Sequence, residues 1–298
     1  MAELLIKSGE RLGYDVKILS YELMEQVPIA VAARVIVGLK WSDPDVVQDI
    51  VRVVRENDVN IILPFVDGAI EIASRCREQL PDVFVPVCDF EIAERMFDKV
   101  EAARLFREKG IVIPRTYSVI SAEMPAIAKP RHGSASRGIK VFYNLEDLMH
   151  LDNLDDYLVQ QYIDNATEYT VDCYVSQQGE ILTAVPRERL EVMGGEVTRT
   201  RTCRPGNLEE VARRVLSQFD FRGPVTLQFL SAPGSDRFLL MEINPRLGGG
   251  VICSIYAGAP ITDYILQESL GVGVKPCDDW SENTLMARYQ KETIFYDN

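Results

Sequence analysis

The sequence predicts a mixed fold, in which a parallel α/β domain is followed by an α+β region built on antiparallel strands. Three observations support this class. Short apolar strands alternate with amphipathic helices over the first ninety-odd residues, as in a parallel sheet. In the middle of the chain, a loop rich in glycine and serine joins two strands. Near the C-terminal end, two strands with alternating apolar residues are connected as a hairpin.

Residues 1–95 are predicted to form the parallel α/β domain. The clearest of its helices, at 42–56, begins with a capping serine and carries valine and isoleucine at helical spacing. The predicted elements follow one another along the chain as a helix at 1–12, strands at 15–20 and 35–38, a helix at 42–56, a strand at 60–64, a helix at 68–80 and a strand at 83–88.

Residues 96–163 are predicted to contain a linking helix and a small subdomain with a glycine loop. Asp98 is suited to cap the helix, which ends at Gly110. The segment 126–141 has the pattern of strand, loop and strand, with Gly133 and Gly138 in the loop. Glycines let backbone N–H groups approach phosphate oxygens, although such a loop by itself is usually an ordinary hairpin.

Residues 164–298 are predicted to form the largest subdomain, and its strand at 238–244 has the most informative pattern. Glu242 and Asn244 point to the same face because side chains alternate along a strand. The opposite, buried face is predicted to contain Leu239, Met241 and Ile243. A carboxylate beside an amide oxygen suits Mg²⁺, and the following Arg246 is suited to an anion beside that metal.

A neighbouring strand at 223–230 is predicted to pair with this one. Its apolar residues alternate, and Gln228 lies on the face opposite to them. The turn-rich loop 231–236 favours a hairpin, which would bring Gln228 close to Glu242 and Asn244 as three oxygen donors. Taken alone, Gln228 is more typical of a solvated edge strand.

These motifs resemble the ATP-grasp enzymes, especially the large subunit of carbamoyl-phosphate synthase and related carboxylate–amine ligases. The resemblance extends from the N-terminal domain to about Gly271. It implies that Gln228, Glu242 and Asn244 bind the Mg²⁺ or Mn²⁺ of ATP, with two ions expected. It also implies that Arg246 faces the transferred phosphate or the substrate. ATP-grasp enzymes usually begin with a strand and a glycine-rich turn, and both are expected to be absent here.

The resemblance further implies the residues that bind the nucleotide. Lys129 would contact the α- or β-phosphate, and the main chain of 160–163 would pair with adenine, with Gln160 where many relatives have glutamate. Lys99 and Glu168 would reach the phosphates and the ribose, although the first is also typical of a surface lysine and the second of a solvated strand end. The predicted set is Lys99, Lys129, His132, Gly133, Ser134, Gly138, Gln160, Gln161, Tyr162, Ile163 and Glu168.

A cluster of arginines lies between these motifs in a chain that is otherwise acidic. Arg187 and Arg199 are the two that we expect to act with Arg246 on an anionic substrate or an acyl phosphate. The alternative is that the cluster only pairs with neighbouring glutamates, namely Glu188, Glu191 and Glu196.

Composition limits the remaining classes of function. The net charge of −13 argues against a nucleic-acid or membrane partner. The chain contains six cysteines without a C-x-x-C motif, which favours free thiols and a cytoplasmic location. With two histidines, a zinc site or a histidine-based triad is not expected.

The leading hypothesis is an ATP-dependent ligase that activates a carboxylate as an acyl phosphate for attack by an amine or another nucleophile. Its partners would be ATP and small-molecule acids and amines, and a homodimer is left open. Two alternatives remain at this point. One is an ATP-grasp phosphotransferase that stops after phosphoryl transfer, and the other is a nucleotide-binding regulatory protein without turnover.

Overall fold

A computed structural model describes residues 1–133 and 137–296 of the chain. The predicted loop residue Ser134 lies outside the described residues. The α-helices are α1 (Ala2–Leu12), α2 (Val46–Glu56), α3 (Asp67–Gln79), α4 (Phe90–Phe97), α5 (Lys99–Glu108), α6 (Leu145–Met149), α7 (Leu208–Leu216), α8 (Val251–Tyr256) and α9 (Ile261–Ser269). The strands are β1 (Leu19–Glu22), β2 (Arg34–Val37), β3 (Ala126–Pro130), β4 (Lys140–Phe142), β5 (Tyr157–Gln161), β6 (Thr167–Val175), β7 (Ile181–Met193), β8 (Glu196–Thr202), β9 (Gly223–Ser231), β10 (Leu239–Asn244) and β11 (Leu285–Ala287).

The N-terminal region has the predicted parallel α/β character but less sheet than the sequence indicates. Strands β1 and β2 pair in parallel. The predicted strands at 60–64 and 83–88 meet only through a parallel bridge between Ile61 and Phe84. Proline explains the difference, because Pro64 and Pro86 have no N–H to donate to a ladder. Helix α2 starts at Val46 rather than at 42, since a proline at 44 disfavours helical geometry in the residue before it.

The small subdomain is an antiparallel sheet in the order β4-β3-β5. Small and branched side chains fill the space behind it, with Ala126 and Ala128 fully buried beside Leu148. Lys129 lies near the end of β3, and β5 leads directly into the segment 161–163. The sheet therefore brings one phosphate-binding candidate and the adenine-binding candidates together.

The large subdomain is a six-stranded sheet in the order β10-β9-β6-β7-β8-β11, and its paired strands are antiparallel. One face packs into the main hydrophobic core, to which β9 contributes Val225, Leu227 and Phe229 at no more than 1% exposure. The opposite face packs partly against α8 and α9 and otherwise borders a large cavity. This division follows from the alternation that the sequence predicts for β9.

Strand β10 departs from strict alternation. A register shift lies between Leu240 and Glu242, which is the signature of a β-bulge. Leu240 and Ile243 enter the core, while Met241 lines the cavity with Glu242. The prediction that Leu239 and Met241 belong to the buried face is therefore wrong, because the bulge inserts one residue into the period of two.

The N-terminal region packs tightly on the large subdomain. Two side chains of α1 contact α9. The Ser8 hydroxyl donates to Thr262 Oγ1 at 2.7 Å, and Arg11 pairs with Asp263. The main core also combines residues of α3 and α4 with residues of the large sheet. The predicted domain boundaries after residues 95 and 163 stay predictions.

Among the described residues, no helix is long and apolar enough to cross a membrane.

Candidate functional site

A cavity of about 1280 Å³ lies between the small sheet, the large sheet and the N-terminal region. Most of the predicted site residues line it, namely Lys99, Lys129, His132, Gly133, Gln161, Tyr162, Ile163, Glu168, Arg187, Gln228, Glu242, Asn244 and Arg246. Three described residues from the predicted set are not in the lining, namely Gly138, Gln160 and Arg199. The tertiary fold thus gathers motifs that are separated by more than a hundred residues.

The three candidate metal ligands lie together on β9 and β10. Glu242 is the cross-strand partner of Gln228, and Asn244 follows on the same strand. The Asn244 side-chain amide donates to Glu242 Oε1 at 2.9 Å, which holds the two side chains in contact. All three are partly exposed to the cavity. The arrangement contains one carboxylate and two amides, and the described residues contain no group of three or more His, Cys, Asp or Glu arranged to hold a metal ion.

Lys129 is held by Gln160. Its ammonium donates to Gln160 Oε1 at 3.1 Å, and the Gln160 amide lies 3.4 Å from the Pro114 carbonyl oxygen. Burial lowers the pKa of Lys129, although Glu242 opposes this shift. Gln160 is 2% exposed, so its side chain positions the lysine from behind rather than lining the cavity.

Lys99 and the glycine loop are also connected. The Lys99 ammonium donates to the Gly133 carbonyl at 2.7 Å. Asp98 caps α5 by accepting from the N–H of Val100 and of Glu101, and its second carboxylate oxygen accepts from Arg131 Nε at 2.7 Å. The predicted cap is confirmed, and the same carboxylate anchors the beginning of the loop.

The segment 161–163 leaves β5 at the edge of the cavity. Protein carbonyls accept two of its N–H groups, because Gln161 donates to Arg115 at 2.8 Å and Tyr162 donates to Pro125 at 3.1 Å. These bonds hold the main chain in place. The adenine contacts predicted here would use two other main-chain groups, the carbonyl of Gln161 and the N–H of Ile163. Along the chain these groups follow the N–H of Gln161 and the N–H of Tyr162, which bond to protein carbonyls.

The three predicted arginines have different surroundings. Arg187 is 1% exposed and forms a buried ion pair with Asp172 at 2.7 Å, and Ser254 donates to the same carboxylate. Arg246 pairs with Asp67 at 2.5 Å, which joins the N-terminal region to the site. Arg199 is exposed and lies outside the cavity lining. Their proposed catalytic roles stay predictions.

The glycines at 248–250 line the cavity. A Cβ on Gly250 would lie 2.5 Å from Arg187 Nη1, and a Cβ on Gly248 would lie 2.8 Å from Thr226 Oγ1. Any side chain at these positions would therefore displace the buried groups beneath. The run of glycines is explained by this close approach of the main chain to the sheet.

Four residues of the site were not predicted as site residues, namely Asp67, Thr170, Asp172 and Arg189. Asp67 reaches Arg246 across 179 positions of sequence, and Asp172 is hidden in an apolar strand. Thr170 and Arg189 both line the cavity. Arg189 belongs to the arginine cluster in the sequence, and that local enrichment in arginine was the one sequence feature that could have identified it as a site residue.

Comparison with known proteins agrees with this geometry. Residues 153–293 match a family model described as "ATP-grasp in the biosynthetic pathway with Ter operon". No curated protein matches the sequence significantly.

Solved structures resemble nearly the whole chain. The biotin carboxylase domain of Hydrogenobacter thermophilus 2-oxoglutarate carboxylase, in complex with MgADP, ADP and bicarbonate, is 14% identical with a TM-score of 0.77, covering 95% of this chain and 70% of that one. Campylobacter jejuni biotin carboxylase is 16% identical with a TM-score of 0.75, at 95% and 72% coverage. Staphylococcus aureus N5-carboxyaminoimidazole synthetase with ADP is 16% identical with a TM-score of 0.73, at 96% and 77% coverage.

At these identities the structural likeness shows the fold alone. The family match adds evidence from sequence over residues 153–293, which contain the candidate metal ligands and the candidate adenine segment 160–163. The predicted ATP-grasp fold and the resemblance to ATP-grasp enzymes are thereby confirmed: the solved structures show the fold, and residues 153–293 match an ATP-grasp family model.

Proposed function

We propose that the protein is an ATP-dependent ligase, which activates a carboxylate as an acyl phosphate and passes the acyl group to an amine or another nucleophile. One observation supports this above all others. A single cavity brings Lys99 and Lys129 together with the oxygen donors of Gln228, Glu242 and Asn244. Cations and oxygen ligands around one space suit a metal-bound triphosphate.

The candidate metal ligands fit Mg²⁺ that arrives with ATP. Glu242 supplies one carboxylate, and Gln228 and Asn244 supply neutral oxygens. Mg²⁺ usually keeps waters and binds through one or two carboxylates plus substrate phosphates, so this sparse set is sufficient. We propose that Glu242, together with Gln228 and Asn244, would hold two such ions. Bound Mg²⁺ would neutralise the charge that develops on the transferred phosphoryl group.

The nucleotide would lie with its base at the segment 161–163 and its ribose near Glu168. Lys129 and Lys99 would bind the phosphates through charge-assisted hydrogen bonds. The acid substrate would bind beside Arg246, which pairs with Asp67 of the N-terminal region, and near the segment 248–250, which also lines the cavity. Catalysis would then depend on positioning and neutralisation of charge rather than on a protein nucleophile.

Hydroxylamine trapping tests this proposal. The purified protein would be incubated with Mg-ATP, hydroxylamine and a panel of carboxylic acids, and both ADP and hydroxamate would be measured. A ligase should release the two in equal amounts with its own acid. ADP with a stable phosphorylated product would instead indicate a phosphotransferase. Failure of the protein to bind Mg-ATP at millimolar concentration by calorimetry would contradict every form of the proposal.

Lys129→Met should weaken the binding of Mg-ADP by roughly 1.5–3 kcal/mol, because a charge-assisted phosphate contact is lost. Methionine preserves the length of the buried stem. Lys140→Met is the matched control, since Lys140 is exposed on the same small sheet and lies outside the cavity. Calorimetric titration would measure both variants, and an unchanged dissociation constant for Lys129→Met would remove this lysine from the site.

Nucleotide binding should also be coupled to a proton through Lys129. Burial lowers the pKa of this group in the free protein, and a bound phosphate should raise it again. Between the two values the ammonium is charged only in the complex, so binding takes up a proton and affinity falls as the pH rises. Titrations at alkaline pH in buffers of different ionisation enthalpy would detect this uptake, and Lys129→Met should abolish it.

A further inference from the structure

The stretch of chain after β11 reaches the wall of the cavity, although no site residue was predicted beyond Arg246. Strand β11 pairs with β8, so that Ala287 lies opposite Arg199. The Arg288 N–H then donates to the Thr198 carbonyl at 2.8 Å, which continues the pairing by one bond. Arg288 therefore lies near the beginning of β8, next to the turn that joins β7 to β8.

The Arg288 guanidinium contacts two residues that line the cavity. It donates to the Gly249 carbonyl, and its Nη1 donates to Glu196 Oε2 at 2.9 Å. Gly249 and Glu196 both belong to the cavity lining, whereas Arg288 lies outside it. One side chain behind the wall thus joins the first residue of β8 to the glycine segment, by which we mean residues 248–250.

The middle of the glycine segment depends on this contact. Gly248 and Gly250 lie tightly against the sheet, because a side chain at either position would displace the groups beneath it. Gly249 does not, since the one atom within 4 Å of a Cβ placed there is Arg288 Nη2, at 3.5 Å. Within the described part of the chain, the hydrogen bond from Arg288 is the one bond that Gly249 makes.

The contact with Glu196 is exposed and adds little to stability. The Glu196 side chain is 71% exposed and that of Arg288 is 33% exposed. Such pairs contribute at most about 1 kcal/mol. Loss of Arg288 should therefore leave the fold intact. It would, however, free the Glu196 carboxylate at the cavity, because the described residues give this carboxylate no other ion pair.

We propose that Arg288 is a positioning residue for the acid substrate. It holds the glycine segment that follows Arg246 and balances the Glu196 carboxylate, so that a substrate carboxylate can bind beside Arg246. The inference rests on the proposed function. Without Arg288, the glycine segment would lose its outer contact, and Glu196 would repel an incoming anion. None of the described nucleotide-binding candidates contacts Arg288, so nucleotide binding should be unaffected.

Steady-state kinetics would use the acid that yields hydroxamate in the trapping experiment, and calorimetry would measure Mg-ADP binding. Three variants would be compared, namely Arg288→Met, Arg288→Lys and the double variant Arg288→Met with Glu196→Gln. Methionine keeps the apolar stem and removes both contacts, whereas lysine keeps the charge but not the planar fork. Arg201→Met is the matched control, because Arg201 lies on β8, pairs with Glu188 and is outside the cavity lining.

Arg288→Met should raise the KM for the acid about tenfold and leave Mg-ADP binding and the melting temperature unchanged. The double variant should recover part of this loss, because it removes the carboxylate that Arg288 balances. Arg288→Lys should fall between the wild type and Arg288→Met, and Arg201→Met should match the wild type. A purely structural role would instead lower the melting temperature and weaken the binding of acid and nucleotide alike, which would overturn the inference.

Hydrogen–deuterium exchange tests the glycine segment without turnover. The N–H groups of Val251 and Cys253 donate to the carbonyls of Gly248 and Gly250. In Arg288→Met, exchange in a peptide spanning 248–256 should become faster, while exchange in β5 should not change. Unchanged exchange over 248–256 would show that Arg288 does not hold this segment and would overturn the inference.

The kinetic data separate failure of this inference from failure of the proposed function. If the wild type forms hydroxamate but Arg288→Met leaves the KM for the acid unchanged, the inference alone is wrong. If the wild type binds Mg-ADP but forms no hydroxamate with any acid, the proposed ligase function is wrong, and the role of Arg288 in acid binding is wrong with it.

Discussion

Replacing Glu242 with glutamine is expected to lower Mg-ATP-dependent turnover at least about a hundredfold while the fold stays intact. Glu242 is the one carboxylate among the three candidate ligands, and glutamine keeps its shape while removing its charge. The side chain is partly exposed and its amide oxygen can still accept from Asn244, so the melting temperature should stay near that of the wild type. ADP release with the acid identified by hydroxylamine trapping would measure the loss.

The control for this substitution is Glu188→Gln. Glu188 belongs to the same sheet and pairs with Arg201 at 3.0 Å, but it lies outside the cavity lining. Its turnover should match that of the wild type. Asn244→Ala should show a smaller loss than Glu242→Gln, because it removes a neutral oxygen. Full metal-dependent turnover in Glu242→Gln would refute the metal assignment and most of the proposed mechanism.

Replacing Asp172 with alanine is expected to lower the free energy of unfolding by about 3–5 kcal/mol. The carboxylate is 1% exposed and accepts from Arg187 Nε at 2.7 Å and from Ser254 at 2.6 Å. Its removal leaves the Arg187 guanidinium buried without a counter-charge, directly beneath Gly250. Denaturant unfolding followed by circular dichroism would measure the change.

A double substitution separates the buried charge from the packing. Asp172→Leu combined with Arg187→Met removes both charges, and it should be less destabilising than Asp172→Ala because no unpaired ion remains. Glu188→Gln again serves as the control, since its ion pair with Arg201 lies partly exposed at the surface of the sheet and should contribute at most about 1 kcal/mol. If Asp172→Ala unfolds like the wild type, the ion pair does not support this part of the sheet.

The alternation of side chains along a strand explains why the sequence predicted that the three candidate metal ligands lie next to one another. Alternation along β9 and β10 put Gln228, Glu242 and Asn244 on one face, and the turn-rich loop between the strands predicted their pairing. The N-cap of α5 was equally local, because a cap depends on residues two and three positions away. Features of this kind are determined by contacts close in sequence.

Other predictions depended on partners that the sequence does not reveal. Gln160 was expected beside adenine, but it lies behind Lys129. Arg187 and Arg199 were chosen from a cluster, whereas the structure buries Arg187 against Asp172, leaves Arg199 outside the cavity lining and places Arg189 within that lining. The bulge in β10 moved Met241 from the core to the cavity because one inserted residue reverses the faces.

By itself, the sequence of this protein determined its fold class, the order of its motifs and the side chains that share each strand face. These properties follow from backbone geometry with a period of two or 3.6 residues, which acts over a few positions. Only the tertiary structure decided which charged groups pair with one another and which of them line the cavity. Arg246 meets Asp67 across 179 positions, and Arg187 meets Asp172 across a strand pair. Such choices depend on burial and distance in the packed molecule, because the cost of an unpaired buried group arises only after water has been excluded.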